Sequence, residues 1–87
     1  MTTVTLYTAP GCTDCTATAR AMERRGIPFR PPVDVAADAA ALDYVKALGH
    51  QRVPVTVVTD EDGVVLDHWA GYRPDKLMAL SRVVLTG

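Results

Sequence analysis

Apolar positions along the chain change period several times, and each change marks an element. Val4-Thr5-Leu6-Tyr7-Thr8 alternates and is β-branched or aromatic at most positions, so it predicts a strand, which Ala9-Pro10-Gly11 breaks. From Cys12 to Arg25 the residues are mainly helix formers. Cys15, Ala19 and Met22 recur at i, i+4 and i+7 as a narrow apolar face, and Arg20, Glu23 and Arg24 lie away from it. Gly26 is the expected residue just past that helix, where a left-handed backbone is needed. Ile27 to Val35 reads as a second strand, confined to a sheet edge by Pro28, Pro31 and Pro32, which lack the N–H a ladder needs. An Ala-rich helix follows from about Ala37 to Leu48, with Ala41, Leu42, Val45 and Leu48 as its stripe and Gly49 closing it. Val55-Thr56-Val57-Val58-Thr59 is a dense β-branched run suited to a buried strand. Asp60-Glu61-Asp62-Gly63 is a turn, with Asp62-Gly63 read as its two positive-φ positions, and Val64-Val65-Leu66 runs back toward Trp69 or Ala70. A last helix starts at Pro74 with Asp75 in its first turn, and Leu77, Leu80, Ser81 and Val84 follow at helical spacing.

The order is therefore β-α-β-α-β-β-α. A strand–helix–strand start predicts a right-handed parallel crossover, and the closing hairpin adds two antiparallel strands. The expected class is α/β, a sheet with helices on both faces. No repeat, linker or low-complexity stretch interrupts the order, so residues 1–87 read as one domain.

Composition narrows the function. A chain of 87 residues that is 48% hydrophobic and 22% charged is globular in kind. Nine Lys and Arg against ten Asp and Glu give a net charge of −1, unlike the basic balance of a nucleic-acid binder. The longest apolar runs are far short of the roughly 18–20 residues that span a bilayer. The start, MTTVTLYTAP, lacks the basic and apolar regions of a secretory signal. A stapled secreted mini-protein would carry more cysteines at wider spacing. A small cytoplasmic domain with no membrane and no nucleic-acid partner is expected.

The chemistry rests on Cys12 and Cys15, the chain's two cysteines. Cys-x-x-Cys at the junction of a strand and a helix puts the first thiol where unpaired N–H groups and the macrodipole favour negative charge. That lowers a thiol pKa and supplies the thiolate that attacks disulfides. Cys15 lies one turn further in, on the face carrying Ala19 and Met22, hence toward the core. Cys12 is then the exposed attacking residue and Cys15 the buried resolving one. A structural disulfide is the bland alternative, but closing so short a loop removes little chain entropy. A zinc site is another. It would need two more ligands, and His50 and His68 have 17 residues between them rather than the 3–5 of a paired motif. No metal is expected, and both histidines read as surface or strand-edge residues. Asp14, between the cysteines, is ordinary first-turn chemistry for a helix but a like charge for the Cys12 thiolate. A less stabilised thiolate disfavours the reduced form, so a potential of roughly −230 to −270 mV is expected rather than an oxidase value near −120 mV.

Several stretches together resemble the thioredoxin superfamily and, within it, the glutaredoxin-like NrdH-redoxins. They are Leu6-Tyr7-Thr8-Ala9-Pro10-Gly11-Cys12-Thr13-Asp14-Cys15, Ala47-Leu48-Gly49, Val53-Pro54-Val55 and Trp69-Ala70-Gly71-Tyr72-Arg73-Pro74. The resemblance implies a thioredoxin-like fold, with a four-stranded mixed sheet flanked by three helices. It implies a cis Val53–Pro54 peptide facing the cysteines, where the Val53 backbone would pair with an extended substrate segment. It implies that Trp69, Gly71 and Tyr72 line a docking surface beside Cys12, and that Arg73 ties the last helix to its neighbours; ordinary sheet-to-helix packing is the alternative for Trp69 and Tyr72, and a solvated charge for Arg73. Thr13 and Asp14 stand where the subfamily usually carries a Gln before the second cysteine, a surface a partner would read. The family accepts electrons from NADPH through thioredoxin reductase and passes them to class Ib ribonucleotide reductase. Such a protein binds no cofactor of its own and is expected to be a monomer. Two other functions compete: a glutathione- or mycothiol-dependent glutaredoxin or mycoredoxin, and a non-enzymatic redox-sensing binding module.

Overall fold

The computed structural model describes residues 2–86, with side chains through residue 83. Strand β1 (Thr3–Thr8) leads into helix α1 (Thr13–Arg24), and strand β2 (Val33–Asp34) into helix α2 (Ala39–Ala47). Strands β3 (Val55–Thr59) and β4 (Val65–Ala70) form the hairpin, and helix α3 (Pro74–Thr86) closes the chain. The sheet order is β2-β1-β3-β4, with β2 parallel to β1 and the other neighbours antiparallel. This is the expected four-stranded mixed sheet and three helices, a thioredoxin-like fold.

Period-two alternation sorts the side chains onto two faces. Val4, Leu6, Val58 and Trp69 pack with Ala21 and Met22 of α1 and Leu77 and Leu80 of α3. On the other face Val55 and Val57 pack with Val35 and with Ala41 and Val45 of α2. One face therefore carries two helices and the other carries one, so the first is covered more deeply. The β3 run is buried at its first four positions, as its β-branched density predicts.

Local chemistry sets the helix ends. Asp38 caps α2 by accepting the Ala41 N–H at 3.1 Å. At the C-terminus of α1 the Ile27 N–H reaches the Met22 carbonyl at 2.9 Å and the Gly26 N–H reaches Glu23 at 3.1 Å; Gly26 adopts φ +69°. The end of α2 repeats the arrangement, with His50 N–H on Val45 and Gly49 N–H on Lys46.

Three expectations change in detail. The Ile27–Val35 strand contracts to Val33–Asp34, paired with Tyr7 and Thr8 at the sheet edge. Its prolines deprive the earlier residues of donors, leaving an isolated Arg30 N–H to Val4 carbonyl bond at 2.9 Å. The buried face of α1 carries Cys15, Thr18, Ala21 and Met22, with Ala19 only partly buried. Thr18 tolerates burial because its hydroxyl donates to the Asp14 carbonyl at 2.8 Å. In the hairpin Gly63 has positive φ and Asp62 does not; Asp60 instead accepts the Asp62 and Val64 N–H groups, both at 2.9 Å. In α3, Leu77 and Leu80 are buried as expected, Ser81 is partly exposed, and the Val84 side chain lies outside the described residues.

Candidate active site

The site is assembled where several segments leave the sheet at one end. Tyr7 pairs with Val55 and Val55 with Ala70. The chain after β1, the chain before β3 and the chain after β4 therefore emerge side by side. They carry, respectively, the cysteines, Val53–Pro54 and Gly71–Tyr72–Arg73.

Cys12 is the N-cap of α1, with an extended backbone at φ −87° and ψ 105°. Its sulfur accepts the Cys15 N–H at 3.1 Å. A capping oxygen ordinarily fills this role, and here the acceptor is the reactive atom itself. A hydrogen bond to the sulfur, added to the positive end of the helix, favours its ionised form in the reduced protein. Cys12 is half-buried while Cys15 is 5% exposed, so an incoming group meets Cys12 first. The two are joined as a disulfide, with Cα atoms 5.2 Å apart. A hollow of about 420 Å³ opens beside the pair, lined by Leu6, Thr8, Cys12, Thr13, Cys15 and Pro32. In sequence Pro32 marks only a break in the strand; its approach to the cysteines follows from β2 lying parallel to β1. Thr13 and Asp14 are both exposed between the cysteines.

The Val53–Pro54 peptide is cis, as the resemblance implied. Pro54 is buried, and its carbonyl accepts the Gly71 N–H at 2.7 Å, joining the segment before β3 to the segment after β4. Gly71 has φ +86°, a conformation that disfavours any side chain, and a Cβ there would stand 4.0 Å from the Arg52 guanidinium. Arg52 thus reaches across the same junction, a neighbour that adjacency in sequence to Val53 does not reveal.

Trp69 and Tyr72 part company. Tyr72 is 39% exposed. Trp69 is 4% exposed, within the core formed by Val58, Leu77 and Leu80, and Lys76 lies over its ring at 5.6 Å. The expectation that Trp69 lines a surface beside Cys12 is therefore corrected. Trp69 pairs with Thr56, and their face of the sheet is the one covered by two helices. Arg73 likewise differs from expectation: its guanidinium grips Asp75, Nη2 to Oδ2 at 2.8 Å and Nε to Oδ1 at 3.1 Å. The tie is local to the start of α3. That contact holds the Asp75 carboxyl below its ordinary range and raises the Arg73 pKa.

His50 and His68, dismissed by spacing, meet: His50 Nε2 and His68 Nδ1 are 2.7 Å apart. Among the described residues no group of three or more His, Cys, Asp or Glu is arranged to hold a metal ion. No helix among them is long and apolar enough to cross a membrane.

A half-buried cysteine capping a helix, a second buried one turn behind it, and a cis-proline at the same sheet end define a thioredoxin-fold thiol–disulfide oxidoreductase. The glutaredoxin family model matches residues 4–63. The chain belongs to the glutaredoxin family, among its NrdH-type glutaredoxin-like members. The glutaredoxin-like protein NrdH of Salmonella typhimurium is 40% identical over 78 residues, covering 88% of this chain and 86% of that protein. The gene 56 protein of Mycobacterium phage L5 is 45% identical over 75 residues, covering 85% of this chain and 67% of that protein. Among solved structures, the NrdH-redoxin of Escherichia coli, a glutaredoxin-like protein with a thioredoxin-like activity profile, superposes with a TM-score of 0.75. It is 34% identical, with 88% of this chain and 92% of that one covered. The glutaredoxin of Archaeoglobus fulgidus superposes equally, at TM-score 0.75 and 26% identity, covering 94% of this chain and 88% of that one.

Proposed function

We propose that this oxidoreductase is a dithiol electron carrier that accepts electrons from NADPH through a thioredoxin reductase. It passes them to disulfides in protein substrates, class Ib ribonucleotide reductase foremost. The Cys12 thiolate attacks a substrate disulfide and expels one substrate thiolate, which takes up a proton. The Cys15 thiol, losing its proton, then displaces the second substrate sulfur from Cys12, leaving the Cys12–Cys15 disulfide and a fully reduced substrate. The reductase returns two electrons and two protons to the pair. In this reading the Val53 backbone, which lies before the β3 ladder, pairs with an extended substrate segment, and Thr13, Asp14, Gly71 and Tyr72 contact the partner. The protein works as a single-domain cytoplasmic monomer and binds no cofactor.

The observation that favours a reductase over a low-molecular-weight thiol is the Arg73–Asp75 pair. Glutaredoxins bind glutathione partly through a Gly-Gly-x-Asp-type stretch before the last helix. The corresponding stretch here is Ala70-Gly71-Tyr72-Arg73-Pro74-Asp75, in which Arg73 stands at the position of the motif's acid and binds the nearby Asp75 on both oxygens. The thioredoxin-like activity profile of the Escherichia coli relative supports the same choice. The test is NADPH oxidation with thioredoxin reductase and insulin, run beside glutathione with glutathione reductase. Turnover confined to the second pair would overturn the reading. Equilibration against glutathione is expected to give a midpoint of roughly −230 to −270 mV, and a value above about −180 mV would contradict a reductant role.

A further inference from the structure

We propose that His50 and His68 form a proton-controlled clamp that positions the Val53–Pro54 segment for protein substrates. The inference rests on the reading of Val53 as a substrate-pairing backbone. His50 directly follows the glycine that ends α2, and its N–H is fixed on the Val45 carbonyl at 3.1 Å. His68 stands on β4 opposite Val57, on the face covered by α2. Their rings meet edge to face, with centroids 4.9 Å apart and an N···N distance of 2.7 Å.

The place of this contact gives it a role. Residues 51–54 form the irregular passage from α2 into β3. The far end of that passage is secured by the Gly71 N–H on the Pro54 carbonyl. The near end is secured to β4 by the histidine pair, which joins residues three before Val53 and three before Gly71. Without the pair, the passage is held to β4 at one end only, and Val53 keeps its position less well.

The proton count gives the control. An imidazole–imidazole hydrogen bond needs an N–H on one facing nitrogen and a lone pair on the other. The neutral pair satisfies this, and so does the pair carrying one added proton on an outer nitrogen. A second added proton places an N–H on both facing nitrogens, and the bond is lost. Burial, and then the facing His68, lower the His50 pKa, so a proton on the facing nitrogen of His50 is taken up at lower pH than by an ordinary histidine. Charged groups also stand around the pair. Lys46 of α2 and Arg52 of the passage share the hollow of His50. β3 offers uncharged Val57 opposite His68, and the Asp67 carboxylate accepts the His68 backbone N–H on Oδ1 at 2.8 Å and Lys76 of α3 on Oδ2 at 3.1 Å.

The test compares native protein with His50→Ala, His68→Ala, the double Ala variant, and a double Gln variant whose amides can bond without titrating. Amide hydrogen exchange at 51–53 and steady-state kinetics with insulin and with a small aromatic disulfide are the readouts. Each single Ala variant is expected to speed exchange at 51–53 and raise KM for insulin about fivefold, the loss of one hydrogen bond. The turnover number and the small-disulfide rate stay unchanged, and the double Ala variant is no worse than either single one. The Gln pair restores KM at neutral pH and removes its rise in acid, whereas a merely structural role would show neither the KM–kcat split nor that loss of pH dependence. Unchanged exchange in folded Ala variants would overturn the clamp, and faster exchange with unchanged KM would overturn its positioning role. Absence of insulin turnover by the native protein would instead indict the proposed function.

Discussion

Replacing Trp69 and Tyr72 one at a time separates a core residue from a surface one. Trp69→Ala removes an indole that is 4% exposed and leaves a cavity between β4 and α3, bordered by Val58, Leu77 and Leu80. Truncating a buried Trp or Phe costs about 3–5 kcal/mol. An 87-residue chain has a stability of about 4–13 kcal/mol, so the loss is a large share of the total. Tyr72→Ala removes a side chain already 39% exposed and is expected to change stability by no more than about 0.5 kcal/mol. Urea unfolding followed by circular dichroism measures both. Activity should sort the other way. Tyr72→Ala lowers kcat/KM with a protein partner, whereas Trp69→Phe, which keeps most of the buried ring, retains it. The indole N–H is buried without an acceptor among the described residues, so the Phe variant loses no hydrogen bond. An unchanged unfolding midpoint in Trp69→Ala would refute the packing argument, as would a Trp69→Phe variant that is native in stability yet inactive with its partner.

Cys15→Ser is expected to stop catalytic reduction of insulin and to accumulate the Cys12 mixed disulfide, seen as a mass increase reversed by dithiothreitol; sustained turnover would mean that Cys15 does not resolve. Gly71→Ala should cost about 1–2 kcal/mol in urea unfolding, because its φ of +86° is unfavourable for a side chain although a Cβ would meet only the Arg52 guanidinium at 4.0 Å, an ordinary contact. For pH, the His50 pKa is lowered in the folded state, so the unfolded chain binds more protons below the ordinary value of about 6.5. Stability should therefore fall as pH drops through that window, and His50→Gln should flatten the fall measured by thermal unfolding. Arg73→Ala should leave stability within about 0.5 kcal/mol, since its ion pair with Asp75 is exposed and local; a larger loss in urea would mean that Arg73 does anchor the last helix.

The parts of the site legible in sequence are those set by neighbours along the chain. Cys12 caps its helix because a strand ends and a helix starts around it, and Cys15 is buried because it lies one turn inward on the apolar face. The cis-proline was expected through the family resemblance rather than through any periodicity. Ala19 does pack against the edge of the core, but the i, i+4, i+7 pattern omits Thr18 because it treats threonine as polar, whereas Thr18 satisfies its hydroxyl within its own helix and can be buried. The histidine pair was missed because metal-type spacing in sequence says nothing about residues brought together across a sheet.

From the sequence alone came the order of elements, the glycines that end α1 and α2, the edge position of the proline-rich strand and the reactive dithiol. Each follows from local backbone preference or from side-chain period. Tertiary structure decided which sheet face is covered by two helices, and hence that Trp69 is core while Tyr72 is surface. It also decided that Pro32 reaches the cysteines, that Arg52 crosses to Gly71, and that His50 meets His68. Alternation in a strand reveals that it has two faces, but what covers each depends on contacts between residues far apart in the chain.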